Sequence, residues 1–191
     1  MEQLLAFDQW LYGLINGAGT HPCLDAVLVP WRHRDTWIWL YVLLAGLLLW
    51  QFRLKGLYLL LGVGLTVGIA DQLSSKVIKP AVERARPCRT PGTSTPGRTL
   101  VHCGGGYSFP SSHAANHFAL AVVLFATAGR RWGRWRWGLI GWAALVAYAQ
   151  VYVGVHYPVD VLAGALLGSL VALAAAALLH RFLPVDIATN R

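Results

Sequence analysis

The sequence predicts an all-α protein: a polytopic membrane helical bundle with five transmembrane helices, preceded by an amphipathic segment at the membrane interface. Of its 191 residues, 56% are hydrophobic and only 13% are charged, whereas a soluble domain has about 25% charged residues. The charges also fall between long apolar runs, while helices of soluble proteins carry one polar face. For the same reason, the net charge of +8 does not indicate a nucleic-acid partner.

The apolar runs set the number of spans, because a bilayer core of about 30 Å needs about 20 helical residues. Runs at 36–52, 137–155 and 161–179 contain no Asp, Glu, Lys or Arg. We predict transmembrane helices over 36–53, 56–79, 112–129, 136–154 and 159–181, all within one domain, 1–191. Within residues 1–35, the stretch LLAFDQWLYGLING (4–17) is apolar but short, and Glu2 and Asp8 accompany it, which favours an amphipathic segment at the interface. A sixth, short span is the alternative.

The orientation follows from the connections between the spans. Five spans divide the Lys and Arg residues evenly between the two sides, so the positive-inside rule does not decide alone. The basic turn RRWGRWR, residues 130–136, is typical of cytoplasmic turns. We therefore predict a bacterial plasma-membrane protein whose long 80–111 loop and 154–158 connection lie on the extracytoplasmic side.

That side collects residues suited to phosphate chemistry. The set is Lys79, Arg86, Ser111, Ser112, His113, His156 and Asp160. Arginine can grip two phosphate oxygens, and the N–H groups of a helix start capped by serine bind anions. One histidine can attack phosphorus while the other protonates the leaving oxygen. Asp160, four residues after His156, can hold the tautomer of its ring.

Three motifs in order resemble a known family. K-x6-R-P occurs as Lys79 to Pro87, P-S-G-H occurs as Pro110 to His113 with serine in place of glycine, and AQVYVGVHYPVD covers residues 149–160. Together they resemble the membrane-bound type-2 phosphatidic acid phosphatases, which share their phosphate site with vanadium haloperoxidases. The resemblance extends from about residue 56 to about residue 168.

The resemblance implies a role for each matching residue. It makes His156 the nucleophile, Asp160 its partner and His113 the general acid. Lys79, Arg86, Ser111 and the backbone at Ser112 and His113 would bind the phosphate. It also implies catalysis without a metal or cofactor, and the few scattered acidic residues of the sequence do not indicate a metal site.

Two positions depart from the family pattern. Ser112 stands where the family has glycine, and a small residue at a helix start can still present its N–H group. Ala149 and Gln150 replace a Ser-Arg pair, so the site lacks one phosphate-binding cation. Because a hydrogen bond to a charged group contributes about 1.5–3 kcal/mol, the loss could lower affinity or rate about 10- to 100-fold unless Arg84 or Arg89 compensates.

The extracytoplasmic loop also contains two of the three cysteines, Cys88 and Cys103. Disulfides are permitted outside the cytoplasm, so we hypothesise a Cys88–Cys103 bridge. Such a bridge would stabilise the loop by about 3 kcal/mol. Cys23 is left without a partner in this scheme.

The sequence thus predicts a lipid phosphate or pyrophosphate phosphatase that works through a phospho-histidine, with membrane lipids as its partners. Undecaprenyl pyrophosphate and phospholipid phosphates are the expected substrates, the former first. Two alternatives stay open: a lipid phosphotransferase with the same first half-reaction, and an inactive lipid-binding homologue. The sequence gives no indication of the oligomeric state.

Overall fold

The computed structural model describes residues 2–90 and 97–182, which form helices and no strands. The helices are α1 (Glu2–Gly13), α2 (Pro22–Trp31), α3 (Ile38–Phe52), α4 (Leu54–Val82), α5 (Ser112–Ala126), α6 (Trp137–Tyr152) and α7 (Pro158–Phe182). The predicted all-α class is confirmed. Part of the predicted 80–111 loop, residues 91–96, and both ends of the predicted 1–191 domain lie outside the described residues.

The helices differ in whether they can cross a bilayer. Three helical stretches are long and apolar enough by length and composition. They are Arg34–Phe52, which is α3 together with the helical turn Arg34–Trp37 before it, Leu54–Val82 (α4) and Pro158–Phe182 (α7). The central helices α5 and α6 have only 15 and 16 residues. At 1.5 Å per residue these helices are about 22–24 Å long, which is shorter than a hydrocarbon core of about 30 Å. The number of five spans therefore stays a prediction.

Helix α7 has two contrasting faces. Leu162, Leu166 and Leu170, which are four residues apart, are exposed on one side. Gly164 and Gly168 are buried on the other side against α5, and small residues at this spacing let two helix backbones approach closely. A Cβ atom on Gly168 would overlap the carbonyl oxygen of Ala115. This close packing fixes the start of α7 beside the start of α5.

We expect Gly168→Ala to lower the thermal stability of the purified protein. The added methyl group has no room against the α5 backbone, and such overpacking typically costs about 1–3 kcal/mol. Thermal unfolding in detergent measures the effect. Gly138→Ala is the matched control, because nothing lies within 4 Å of a Cβ atom at that helical glycine. Equal melting temperatures for both variants would contradict the packing described here.

Helix α1 lies across the end of the bundle where α5 and α7 begin. Buried Asp8 accepts a hydrogen bond from the Val159 N–H at 2.9 Å. Asn16, just beyond α1, donates to the Tyr152 carbonyl at the end of α6 at 2.6 Å. The opposite side of α1 exposes Phe7 and Trp10. An interfacial segment would have these features, and its position on the membrane stays a prediction.

Candidate active site

Polar side chains from separate parts of the chain meet at the end of the bundle covered by α1. Lys79 lies in the last turn of α4, and Arg84 and Arg86 follow that helix. The start of α5 contributes Ser111, Ser112 and His113, and the connection from α6 to α7 contributes His156 and Asp160. The structure therefore brings together the residues that the three sequence motifs identify.

His156 is buried, with 2% of its surface exposed. Arg86 Nη1 lies 3.3 Å from its Nε2 atom and also donates to the Val155 carbonyl at 3.2 Å. A guanidinium group can only donate hydrogen bonds, so Nε2 must accept and the ring proton must sit on Nδ1. Burial lowers the pKa of His156 to about 4. The ring is thus neutral at physiological pH, with its Nε2 lone pair on the Arg86 side.

Asp160 lies on the other side of the His156 ring and is completely buried. Its Oδ2 atom is 3.5 Å from Nδ1 of His156, a distance at which no hydrogen bond of normal geometry forms between them. Oδ2 instead accepts from the Ser108 hydroxyl and from the Tyr157 N–H. Catalytic hydrogen bonds often tighten only when substrate binds. The carboxylate is thus held in place beside the nitrogen that carries the proton.

Arg84 and Asp8 complete this network, and neither is among the predicted site residues. Arg84 donates to Asp160 Oδ1 at 2.7 Å and to Asp8 Oδ2. Pairing with these two carboxylates raises the pKa of Arg84 against the opposing effect of burial. Arg84 therefore stabilises the ionised form of Asp160 and is not available to replace the missing family arginine. An acid within the apolar stretch of α1 is the sequence signal that points to Asp8.

The start of α5 has the capped geometry that suits anion binding. Ser111 is the N-cap residue, and its buried side chain accepts from the Ala114 N–H at 3.4 Å. The Ser112 hydroxyl accepts from the Ser74 hydroxyl of α4 at 3.0 Å. This bond gives the second serine, where the family has glycine, a partner within the bundle. His113 follows in the first turn.

Lys79 makes three hydrogen bonds to backbone carbonyl groups. Its Nζ atom donates to Tyr107 at 3.1 Å, Ser108 at 3.3 Å and Pro110 at 2.6 Å. An ammonium group has three N–H donors, and all three are used here. In this conformation Lys79 holds the segment that leads into α5, and any contact with substrate requires it to release at least one carbonyl.

Gln150, at the position of the family arginine, is completely buried near the end of α6. The backbone carbonyl of Gln150 accepts a hydrogen bond from the N–H of Val155 at 3.2 Å. Since Val155 is the residue before His156, this bond holds the end of α6 close to His156. The Oε1 atom of Gln150 accepts from Arg32 Nε at 3.2 Å. Its Nε2 atom has no hydrogen-bond partner among the residues that the structure describes.

The two loop cysteines, Cys88 and Cys103, form a disulfide in the structure. It ties the turn Pro87–Arg89, directly after Arg86, to the chain that leads toward α5. Cys23 is exposed and is not in a disulfide.

We expect the Cys88→Ser variant to melt at a lower temperature than the wild type, because a 15-residue separation corresponds to about 3 kcal/mol of stabilisation. Thermal unfolding of protein from an oxidising preparation measures the shift, and Cys23→Ser is the matched control. The hypothesis of a bridge fails if alkylation before denaturant or reductant labels both loop cysteines in the wild type.

A largely apolar cavity of about 550 Å³ opens beside the site between α3, α4 and α5. Ser112 and His113 line its polar end, and leucine and valine side chains such as Leu44, Val63 and Leu124 line the remainder. The cavity therefore connects the start of α5 with the apolar interior of the bundle.

The acidic side chains at the site are paired with a cation. In 2–90 and 97–182, no three His, Cys, Asp or Glu side chains are grouped closely enough to hold one. The acidic residues of the site, Asp8 and Asp160, are both bound to Arg84. The residues described here therefore indicate a site based on histidines and cations.

The chain is similar to known phosphatases over most of its length. The family model of the PAP2 superfamily matches residues 55–183. The chain is 33% identical over 174 residues to the lipid A 4'-phosphatase of Bacteroides thetaiotaomicron, covering 88% of this chain and 75% of that protein. It is 31% identical over 170 residues to the undecaprenyl-diphosphatase of Sulfolobus acidocaldarius, covering 88% and 76%. It is 30% identical over 176 residues to phosphatidylglycerophosphatase B of Bacillus subtilis, covering 87% and 74%.

Two solved structures have the same fold. The crystal structure of a transmembrane PAP2-type phosphatidylglycerolphosphate phosphatase from Bacillus subtilis superimposes with a TM-score of 0.74 at 23% identity, covering 97% of this chain and 90% of that one. The crystal structure of LpxE from Aquifex aeolicus gives a TM-score of 0.63 at 26% identity, covering 87% and 93%.

The fold and the site define a membrane phosphatase of the lipid phosphatase type. The chain belongs to the PAP2 superfamily, which confirms the resemblance seen in the three motifs. It is an integral membrane enzyme, and its relatives act on lipid phosphates.

Proposed function

We propose that this enzyme removes a phosphate group from a membrane lipid by forming a phospho-histidine at His156. The observation that carries the proposal is the geometry of His156. Its neutral ring has a proton on Nδ1 beside Asp160 and a lone pair on Nε2 beside Arg86. A nucleophile needs that lone pair, and the adjacent guanidinium can bind the phosphate that Nε2 attacks.

The first half-reaction forms the phosphorus–nitrogen bond. The phosphate binds to Arg86 and to the N–H groups at the start of α5, with Lys79 nearby. Nε2 of His156 attacks phosphorus, the bond from phosphorus to the leaving oxygen breaks, and His113 donates a proton to that oxygen. The negative charge of the bound phosphate favours the protonated imidazole that this step needs. Asp160 stabilises the positive charge that develops on the His156 ring.

The second half-reaction restores the enzyme. His113, now neutral, accepts a proton from a water molecule that attacks phosphorus. The phosphorus–nitrogen bond breaks, inorganic phosphate leaves, and the Nε2 lone pair of His156 is recovered. No metal or cofactor takes part in this proposal. An acceptor lipid in place of water would give phosphotransfer, the alternative that shares the first half-reaction.

The cavity between α3, α4 and α5 supports a lipid as the substrate. Its polar end includes His113, the proposed acid, and its walls are mostly apolar. A lipid with its headgroup at the start of α5 could place an acyl or prenyl chain along these walls. The exposed leucines of α7 agree with a bundle in a membrane, and we propose that the site faces the extracytoplasmic side of the plasma membrane.

A panel of lipids tests the proposal and identifies the substrate. Undecaprenyl pyrophosphate remains the substrate that we expect first. Lipid A is the second candidate in the panel, because two relatives are lipid A 4'-phosphatases. Phosphatidylglycerol phosphate and phosphatidic acid complete the panel. We expect phosphate release from at least one member without added metal and in the presence of EDTA. If folded enzyme releases no phosphate from any of them, the proposed function is wrong and the inactive homologue becomes the better account.

A further inference from the structure

The site contains a buried amide group, the NH₂ of Gln150, that has no hydrogen-bond acceptor among the described residues. Gln150 Oε1 faces Arg32, and this bond fixes the orientation of the amide because Arg32 can only donate. The NH₂ group of Gln150 is consequently directed away from Arg32 and has no partner among the described residues. Buried donors are almost always satisfied in native proteins, so this donor indicates a ligand with an acceptor oxygen.

Arg32 itself is a partly buried cation close to other cations. It follows α2 directly and forms no salt bridge with a described carboxylate. Burial and the neighbouring charge of Arg86 lower its pKa. An anion near both guanidinium groups would offset their mutual repulsion, because no described carboxylate pairs with Arg32.

The other arginines at this end of the bundle do not bind Gln150. Arg84 is bound to Asp8 and Asp160, and Arg98 is bound to Asp25 at 2.6 Å. Arg89 ends the turn that the disulfide holds and forms no hydrogen bond with Gln150 among those of the described residues. Among the described arginines, Arg32 therefore has the only side chain bonded to the residue at the family arginine position.

We propose that Arg32 supplies the phosphate-binding guanidinium that the family has at position 150, and that Gln150 positions it and adds an amide donor. This inference rests on the proposed function, because the anion is the phosphate of the lipid substrate. The N-terminal segment, which the family motifs do not include, would thus complete the active site of this chain.

Exchange of the charge between the two positions tests the proposal. We expect Arg32→Gln to lower kcat/KM about 10- to 100-fold, as for the loss of a charge-assisted hydrogen bond. The double variant Arg32→Gln/Gln150→Arg should recover most of the activity, because it restores the charge at the family position. Arg181→Gln, at the far end of α7, removes the same charge from an exposed site and should leave kcat/KM unchanged.

Phosphate binding gives a second readout that does not depend on turnover. Inorganic phosphate as a competitive inhibitor should bind Arg32→Gln about 10-fold more weakly and bind the double variant nearly as well as the wild type. If Arg32→Gln keeps wild-type kcat/KM and phosphate affinity, the proposal is wrong. It is equally overturned if Arg32→Gln loses activity through a lower melting temperature and the second substitution does not restore phosphate binding. Wild-type enzyme that is inactive on every lipid would instead refute the proposed function.

Discussion

The His156→Ala variant should release phosphate at least about 10⁴-fold more slowly than the wild type, the scale seen when a catalytic nucleophile is removed. The remaining groups could still bind phosphate, but no other imidazole has its Nε2 atom beside Arg86. Initial rates on the best lipid of the panel measure the loss. Because the ring is buried, the melting temperature of the variant must be measured as well.

His102→Ala is the matched control for this substitution. His102 is an exposed histidine of the 80–111 loop and forms no hydrogen bond among the described residues, so this variant should keep wild-type activity. Turnover of His156→Ala at more than a tenth of the wild-type rate would mean that another group attacks phosphorus.

The second large effect is expected for Asp160→Asn, with kcat reduced about 10³-fold and KM changed little. An asparagine amide can present N–H to the His156 ring and favour the tautomer with the proton on Nε2, which cannot attack; the same substitution in the serine protease triad has a comparable effect. Asp160 does not contact the proposed phosphate position, so substrate binding should survive. Steady-state kinetics separates the two parameters.

The charge balance around Asp160 makes this variant informative. Asp8 still pairs with Arg84 when Asp160 is neutral, so the substitution does not leave a buried arginine without a carboxylate. Asp8→Asn is the comparison variant, because it removes the other carboxylate and leaves the side chain beside His156 in place. If both variants lose the same activity, the two carboxylates support catalysis by holding Arg84, and the effect of Asp160 on the tautomer of His156 is not the cause of the loss.

Much of the arrangement of the candidate site could be predicted because its signals are local. Ser111 to His113 lie consecutively at a helix start, and His156 and Asp160 are four residues apart across the start of α7. The apolar runs between the motifs imply that the motifs meet at one end of a bundle. The choice of residue types for phosphate chemistry then follows from their charge and hydrogen-bonding capacity.

The contribution of the N-terminal segment could not be predicted, because its contacts are long-range. Arg32 and Gln150 are 118 positions apart, and Asp8 and Arg84 are 76 apart. No periodic pattern links such pairs, and an acid or an arginine in a short apolar segment equally suits a membrane interface. The bonds of Lys79 to three carbonyls were also not evident, since a lysine in a phosphate motif suggests a contact with substrate. The lengths of α5 and α6 depend on where the chain turns. The apolar runs of the sequence continue past these turns, so helices predicted from apolar residues alone are too long.

The most direct test of the central claim is to trap the covalent intermediate. Wild-type enzyme is mixed with a ³²P-labelled lipid of the panel, quenched with alkali within its first turnovers and digested, and the labelled peptide is sequenced. Phospho-histidine survives alkali and is lost in acid, so the two quenches identify the linkage. We expect an acid-labile label on His156 that is missing from the His156→Ala variant. Label on another residue, or rapid turnover with no labelled protein at any time, would contradict it.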